Sequence, residues 1–301
     1  MHIPDGYLSP EVAVATTVVS VAVLGFAARR APSELDERRL PLLGVTAAFI
    51  FAVQMLNFPV AHGTSGHLLG AALAAALLGP WLGCLTVAAV LAVQALLFAD
   101  GGIAALGANV LNMAVIGALL TGWLLARTRS LTDRSRSQML VVVAGAAWLS
   151  VMAGAVATAV ELAASGTVPL AEVLPAMLET HALIGVGEAL ITVAAVALVL
   201  VRPRAFVAAA LAVSVALAVA VAPYASAQPD GLERVAIDHG FAGSGRLHAV
   251  QEQAPAPDYA APGIDDPRLA TAVAGAAGTL ALFALVLGAG AVVRRRQPLP
   301  S

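Results

Sequence analysis

The chain opens Met1-His2-Ile3-Pro4-Asp5-Gly6-Tyr7, and a histidine at position two can chelate a metal with its own backbone. The Met1 amine and the His2 amide nitrogen close a five-membered ring around an ion. The His2 amide and its imidazole Nδ1 close a six-membered ring. Three nitrogens in one plane suit tetragonal or square-planar ions, Ni(II) and Cu(II) above all. The amine and amide lose protons on binding, so affinity should rise with pH. One in-plane position remains for another imidazole. Pro4 and the Asp5-Gly6 turn can redirect the chain just after the chelate. The competing reading is that His2 is incidental.

Two further segments carry candidate chemistry. His62 and His67 lie in Asn57-Phe58-Pro59-Val60-Ala61-His62-Gly63-Thr64-Ser65-Gly66-His67, a stretch rich in Gly, Ser and Thr where backbone can approach an ion closely. They read as metal ligands or as solvated loop histidines. Pro229-Asp230-Gly231-Leu232-Glu233 reads, taken alone, as turn chemistry. His239 and His248 beside it read as solvated, the other reading being early capture of a metal. Several function classes drop out. Cys84 is the single cysteine, which excludes an internal disulfide and a Cys-built zinc cage. There is no lysine, so there is no Walker A loop, and any ATP-driven step needs another subunit. An intramembrane zinc protease needs a motif such as H-E-x-x-H, which is missing. His181 and Glu188 share a helical face, but two residues do not make an open tetrahedral zinc site.

These residues must be positioned by membrane helices. Sixty per cent of the 301 residues are apolar, 11% are charged, and the mean hydropathy is +0.89. A net charge of −2 gives no hint of nucleic acid. Apolar runs against polar breaks predict an all-α polytopic protein of about nine spans: 11–28, 41–58, 67–79, 80–98, 103–126, 139–163, 181–201, 206–221 and 269–293. The third is short for a crossing, and the stretch 168–180 is semi-polar. Arg29, Arg30, Arg38 and Arg39 follow the first span. Arg127, Arg129, Arg134 and Arg136 follow the fifth, Arg202 and Arg204 the seventh, and Arg294, Arg295 and Arg296 the ninth. Nine spans put all of these on one side, which positive-inside logic makes the cytoplasm. The N-terminus and the loop 225–267 then lie outside, with the C-terminus in the cytoplasm. The first segment lacks a basic leader region and reads as retained rather than as a cleaved signal peptide. Gln54, Gln94, Asn109, Asn112, Glu161, His181 and Glu188 fall in or beside spans, where interhelical hydrogen bonds are the ordinary role.

MHIPDGYLSP at 1–10 and NFPVAHGTSGHLLG at 57–70, supported by GGIAALGANVLNM at 101–113 and HALIGVGEALIT at 181–192, resemble the CbiM/NikM substrate-binding components of energy-coupling-factor transporters. That resemblance covers residues 1–205 and implies a seven-helix domain that imports Ni(II) or Co(II) as substrate, without an organic cofactor. It implies metal ligation by Met1, His2 and His67. His62, Asn109 and Asn112 are expected to support those ligands from behind. It also implies a CbiQ/NikQ-like transmembrane coupling subunit and CbiO/NikO-like ATPase subunits, in a bacterial plasma membrane. SAQPDGLERVA at 226–236 looks like the small CbiN/NikN or PDGLE component, two spans joined by an extracytoplasmic loop, so 206–301 is expected to be a fused second domain. The alternative is a self-sufficient secondary metal transporter that needs no ATPase partner.

Overall fold

The structure, a computed structural model, describes residues 1–36, 39–61, 63–133, 135–201 and 206–295. His62 lies outside the described residues, as do Arg38, Arg134, Arg202, Arg204 and Arg296. The described chain is helical with one two-residue antiparallel ribbon. Helix α1 runs Pro10–Glu34, with Ser9 capping the Val12 amide and Pro10 opening its first turn. Then come α2 (Arg39–Gln54), the ribbon β1 (Phe58–Pro59) and β2 (Ser65–Gly66), and the short α3 (Ala71–Leu78). Next are α4 (Pro80–Leu97), α5 (Leu106–Arg127), α6 (Arg136–Ala164), α7 (Leu170–Val201) and α8 (Phe206–Ala220). A short α9 (Gly231–Asp238) sits in the loop before α10 (Pro267–Arg295). Among the described residues seven helices are long and apolar enough to cross a membrane, and α2 is a shorter apolar helix of the same kind. The protein is a multi-pass membrane protein.

Two elements differ from the sequence expectation. The third span contains only eight helical residues. At 1.5 Å per residue that is about 12 Å, against about 30 Å of hydrocarbon. The chain reaches α3 through the extended stretch from Ser65 to Gly70, whose His67 touches Met1. It leaves through Gly79, beside the Glu34 carboxylate at the far end of α1. The polypeptide therefore traverses the bundle half extended and half helical. Such a stretch survives only where protein satisfies its amides. Glu188 on α7 does so, its two carboxylate oxygens accepting from the Leu69 amide at 2.5 Å and the Gly70 amide at 2.9 Å. The second difference is α7, which begins at Leu170 rather than at 181. Hydropathy marks where apolar surface begins, whereas a helix satisfies its own backbone on either side of that line.

Small residues set the packing. A Cβ on Gly185 would lie 2.8 Å from Cδ1 of Trp148, so α6 and α7 meet closely. A Cβ on Gly44 would lie 3.1 Å from the Phe283 ring, and one on Gly290 would lie 2.8 Å from Cδ2 of Leu40. The last helix thereby lies flush on α2, and α8 packs against both.

Candidate metal site

The first nine residues form no helix. Residues 1–5 run as a strand-like segment across the end of the bundle, the chain turns at Gly6, and 101–109 is built to receive them. Ile3 is fully buried. Its amide donates to Asn109 Oδ1 at 2.8 Å, and its carbonyl accepts from Asn109 Nδ2 at 3.0 Å and from the Gly102 amide at 2.8 Å. One side chain thus imitates a neighbouring strand. Asp5 accepts from the Ala105 amide at 3.0 Å, and its own carbonyl accepts from the Arg246 amide at 2.9 Å. A Cβ on Gly102 would land on the Asp5 carboxylate and amide, which leaves room only for glycine. These bonds fix Met1 and His2 two residues away.

The Met1 amine, with its side chain buried, lies 2.9 Å from His67 Nε2 and donates to Asp230 Oδ2 at 2.7 Å. His67 Nδ1 lies 3.0 Å from the Leu68 carbonyl, which can only accept. The proton therefore sits on Nδ1, and the Nε2 lone pair faces the amine. The His2 and His67 rings stack with centroids 5.0 Å apart at 21°. Adjacent corners of a square with bonds of about 2.0 Å are about 2.8 Å apart, and imidazole centroids on such corners are roughly 4.5 Å apart. The amine, His2 and His67 already sit near that spacing. His2 Nδ1 lies 3.3 Å from Asp100 Oδ1, while its Nε2 is buried without a partner. Closing the six-membered chelate therefore requires Nδ1 to leave Asp100. Burial first, and then the neighbouring His67 and amine, lower the His2 pKa to about 4 against the pull of Asp100. At neutral pH the ring is uncharged and has a lone pair to give.

The motif from Pro229 to Glu233 supplies what sequence reasoning missed. Asp230 caps α9: its Oδ1 accepts from the Glu233 amide at 2.8 Å, and Glu233 returns a bond to the Asp230 amide at 3.4 Å. This reciprocal capping box leaves Oδ2 free for Met1. Burial alone would raise the Asp230 carboxyl, but the Met1 ammonium beside it holds it well below the usual carboxylate range. The Pro229 carbonyl accepts from the Ser65 amide at 2.9 Å, which ties the motif to the His67 ribbon. A Cβ on Gly231 would lie 2.8 Å from Cε1 of His181, and Leu232 is buried beneath the helix. All five residues thus contribute to the local structure. The pattern D-x-x-E over Asp230–Glu233 was the signal for a helix start, hidden because Pro-Asp-Gly also spells a turn.

Tyr259 extends the network from the same loop. Its hydroxyl donates to Asp100 Oδ2 at 2.6 Å and accepts from Gln94 Nε2 at 3.0 Å. Burial and the adjacent Asp100 hold that phenol well above its ordinary pKa. Asn112 turns toward α6, donating to Glu161 at 2.7 Å and to Thr158 at 3.2 Å. His181 donates from Nδ1 to the Met177 carbonyl at 2.8 Å and leaves Nε2 unpartnered below Gly231. Among the described residues, no cluster of three or more His, Cys, Asp or Glu side chains is placed to hold a metal. A site here must draw on backbone nitrogen.

Residues 2–205 match the family described as the cobalt uptake substrate-specific transmembrane region, CbiM, and residues 204–295 match the PDGLE domain. The chain belongs to the CbiM family of cobalt and nickel transport proteins, with a PDGLE domain behind it. A protein of Archaeoglobus fulgidus that bears the name of a fused nickel transport protein, NikMN, is 37% identical over 294 residues, covering 95% of this chain and 96% of its own. The fused nickel transport protein NikMN of Rhodobacter capsulatus is 38% identical over 213 residues, 65% of this chain and 61% of its own. A crystal structure of a truncated transition metal transporter superposes with a TM-score of 0.59 at 34% identity, covering 67% of this chain and 99% of that one.

Proposed function

We propose that this chain is the substrate-binding membrane component of an energy-coupling-factor importer for Ni(II) or Co(II). The observation that carries the reading is a buried Met1 amine 2.9 Å from His67 Nε2 with the His2 ring stacked alongside. The ion binds the amine, the His2 amide and Nδ1, and His67 Nε2. It displaces one proton from the Met1 ammonium and the proton of the His2 amide, and exchanges places with the Asp230 and Asp100 carboxylates that hold the amine and the imidazole before it arrives. A planar four-nitrogen set favours Ni(II) over Co(II).

Residues 1–205 form the binding domain and 206–301 the PDGLE domain. Nine crossings place the N-terminus outside and the C-terminus in the cytoplasm of a bacterial plasma membrane. A coupling subunit and two ATPases, on separate chains, then reorient the protein and release the ion inward.

The test is Ni(II) titration of the purified full chain, His2→Ala, and a chain lengthened by two residues before Met1. Two are needed, because one would make the histidine third and create a different chelate with two amides. Loss of tight binding in both variants is expected; retention in either refutes the ligand set. Uptake by cells that lack any partner ATPase would overturn the proposed partners.

A further inference from the structure

The residue that carries the first nitrogen has no chain before it to hold it in place. Chain ends fray unless something ties them down, and the anchors on Ile3 and Asp5 all lie on the far side of His2. The bond from the Met1 amine to Asp230 is given up when the ion arrives, so it does not hold the loaded state. What remains is the Met1 side chain, which is 1% exposed and belongs to the hydrophobic core. We propose that this side chain is seated between Gly154 and the Asn112 carbonyl, and that the seat is a positioning device that holds the first amine against His67. The proposal rests on the ligand set given above.

Gly154 is buried on α6. A Cβ there would lie 2.8 Å from the Met1 methyl carbon Cε, 3.3 Å from the Asn112 carbonyl oxygen and 3.8 Å from Met1 Sδ. The thioether tip therefore rests on bare helix backbone, at a spot that any larger residue would occupy. Asn112 comes from the stretch Val110–Ile116 of α5, which is wound as a wider π-helix. Such turns are rare and recur at functional sites. The Asn112 side chain donates to Thr158 and Glu161, which lie one and two turns along α6 from Gly154. These bonds pin α5 to α6 beside the methyl group. The expected support of Asn112 for the metal ligands thus runs through the Met1 side chain. Gly66, His67, Leu69, His181, Ile184 and Gly231 border a gap beside Met1 that is too narrow for a water molecule.

A shorter first residue would keep every nitrogen of the chelate and lose the seat. Truncating a buried methionine removes its contacts and leaves a cavity behind. Methionine suits a narrow, irregular seat because it is unbranched and turns about three bonds. Without it, residue 1 spends part of its time away from His67, and apparent affinity falls with the competent fraction. The anchors from Ile3 onward still hold the rest of the strand, so only the first residue is released. The site therefore discriminates by its own first side chain, and an amine followed by histidine does not suffice.

The test uses the full chain in detergent, with the first residue set by cleaving a leader so that a free amine precedes His2. Met1→Ala keeps the amine, both His2 nitrogens and His67, and should bind Ni(II) about 10- to 100-fold more weakly. At saturation its Ni(II) absorption spectrum should match that of the native chain, because the four nitrogens are unchanged. Met1→Leu refills most of the seat and should return to within about threefold of native. Gly154→Ala should cost about three- to tenfold in the native chain, because the methyl group must shift, and nothing further in a chain that already carries Met1→Ala. A Met1→Ala affinity within about threefold of native, or a Gly154→Ala cost that is equal in both backgrounds, overturns the seat. Where Gly154→Ala does not fold, the two variants at position 1 decide alone. Every variant here keeps the proposed ligands, so their failure leaves the ligand set standing. The lengthened chain and His2→Ala test that set separately.

Discussion

Replacing Asn109 by Ala should weaken metal binding without touching a metal ligand. Asn109 is 2% exposed and makes two hydrogen bonds to the Ile3 backbone, at 2.8 and 3.0 Å. Alanine removes both and leaves the buried Ile3 amide without an acceptor. The Ile3 carbonyl keeps the Gly102 amide at 2.8 Å. Two lost bonds and one orphaned donor cost the docked strand about 2–4 kcal/mol. With the proposed ligand set the ion binds only the docked strand, so apparent affinity should fall with the docked fraction. At 1.4 kcal/mol per factor of ten, the ceiling is about 30- to 700-fold. The other anchors offset part of this: Asp5 on Ala105, Arg246 on Asp5, and the buried Ile3 and Tyr7 side chains. The expected loss is therefore about 10- to 100-fold. Calorimetric Ni(II) titration reads the affinity, and amide hydrogen exchange over residues 1–9 reads the docking. An affinity within threefold of native, with exchange in 1–9 unchanged, would refute the coupling between strand and site.

Other outcomes follow from the same geometry. Gly102→Ala places a Cβ on Asp5 and should lower Ni(II) affinity at least tenfold while thermal unfolding stays near native. Glu188→Ala strands the Leu69 and Gly70 amides in the bundle and should cost about 2–4 kcal/mol in a denaturation assay, with Glu188→Gln recovering part of it. His2 has a pKa of about 4 when docked against 6.5 when free, so the undocked strand takes up the proton first. Docking of residues 1–9 should weaken as pH falls from 6.5 to 4 and be constant above, as read by exchange protection. His2→Ala should remove that dependence.

The membrane class, the helical architecture and the family were legible from hydropathy and from the motifs, the opening one above all. His2 was a candidate because a chelate is a local, covalent consequence of position two; the glycine-rich loop offered His62 and His67 alike, and the resemblance chose His67, which the structure sets beside the Met1 amine. Sequence placed Asn109 behind the site but could not show that it acts as a surrogate strand. That role needs Ile3, which is 106 residues away. Nor could hydropathy reveal that the stretch 65–78 is half extended, because Glu188 satisfies its amides from another helix. The largest gap was Asp230. Its local pattern encodes a helix cap, and a cap uses only one carboxylate oxygen. What the other oxygen meets is fixed by how α8 and α10 pack on α2 and swing the intervening loop over the first residue. Local chemistry is written in neighbouring residues; the meeting of a carboxylate with an amine 229 positions away belongs to the packed bundle alone.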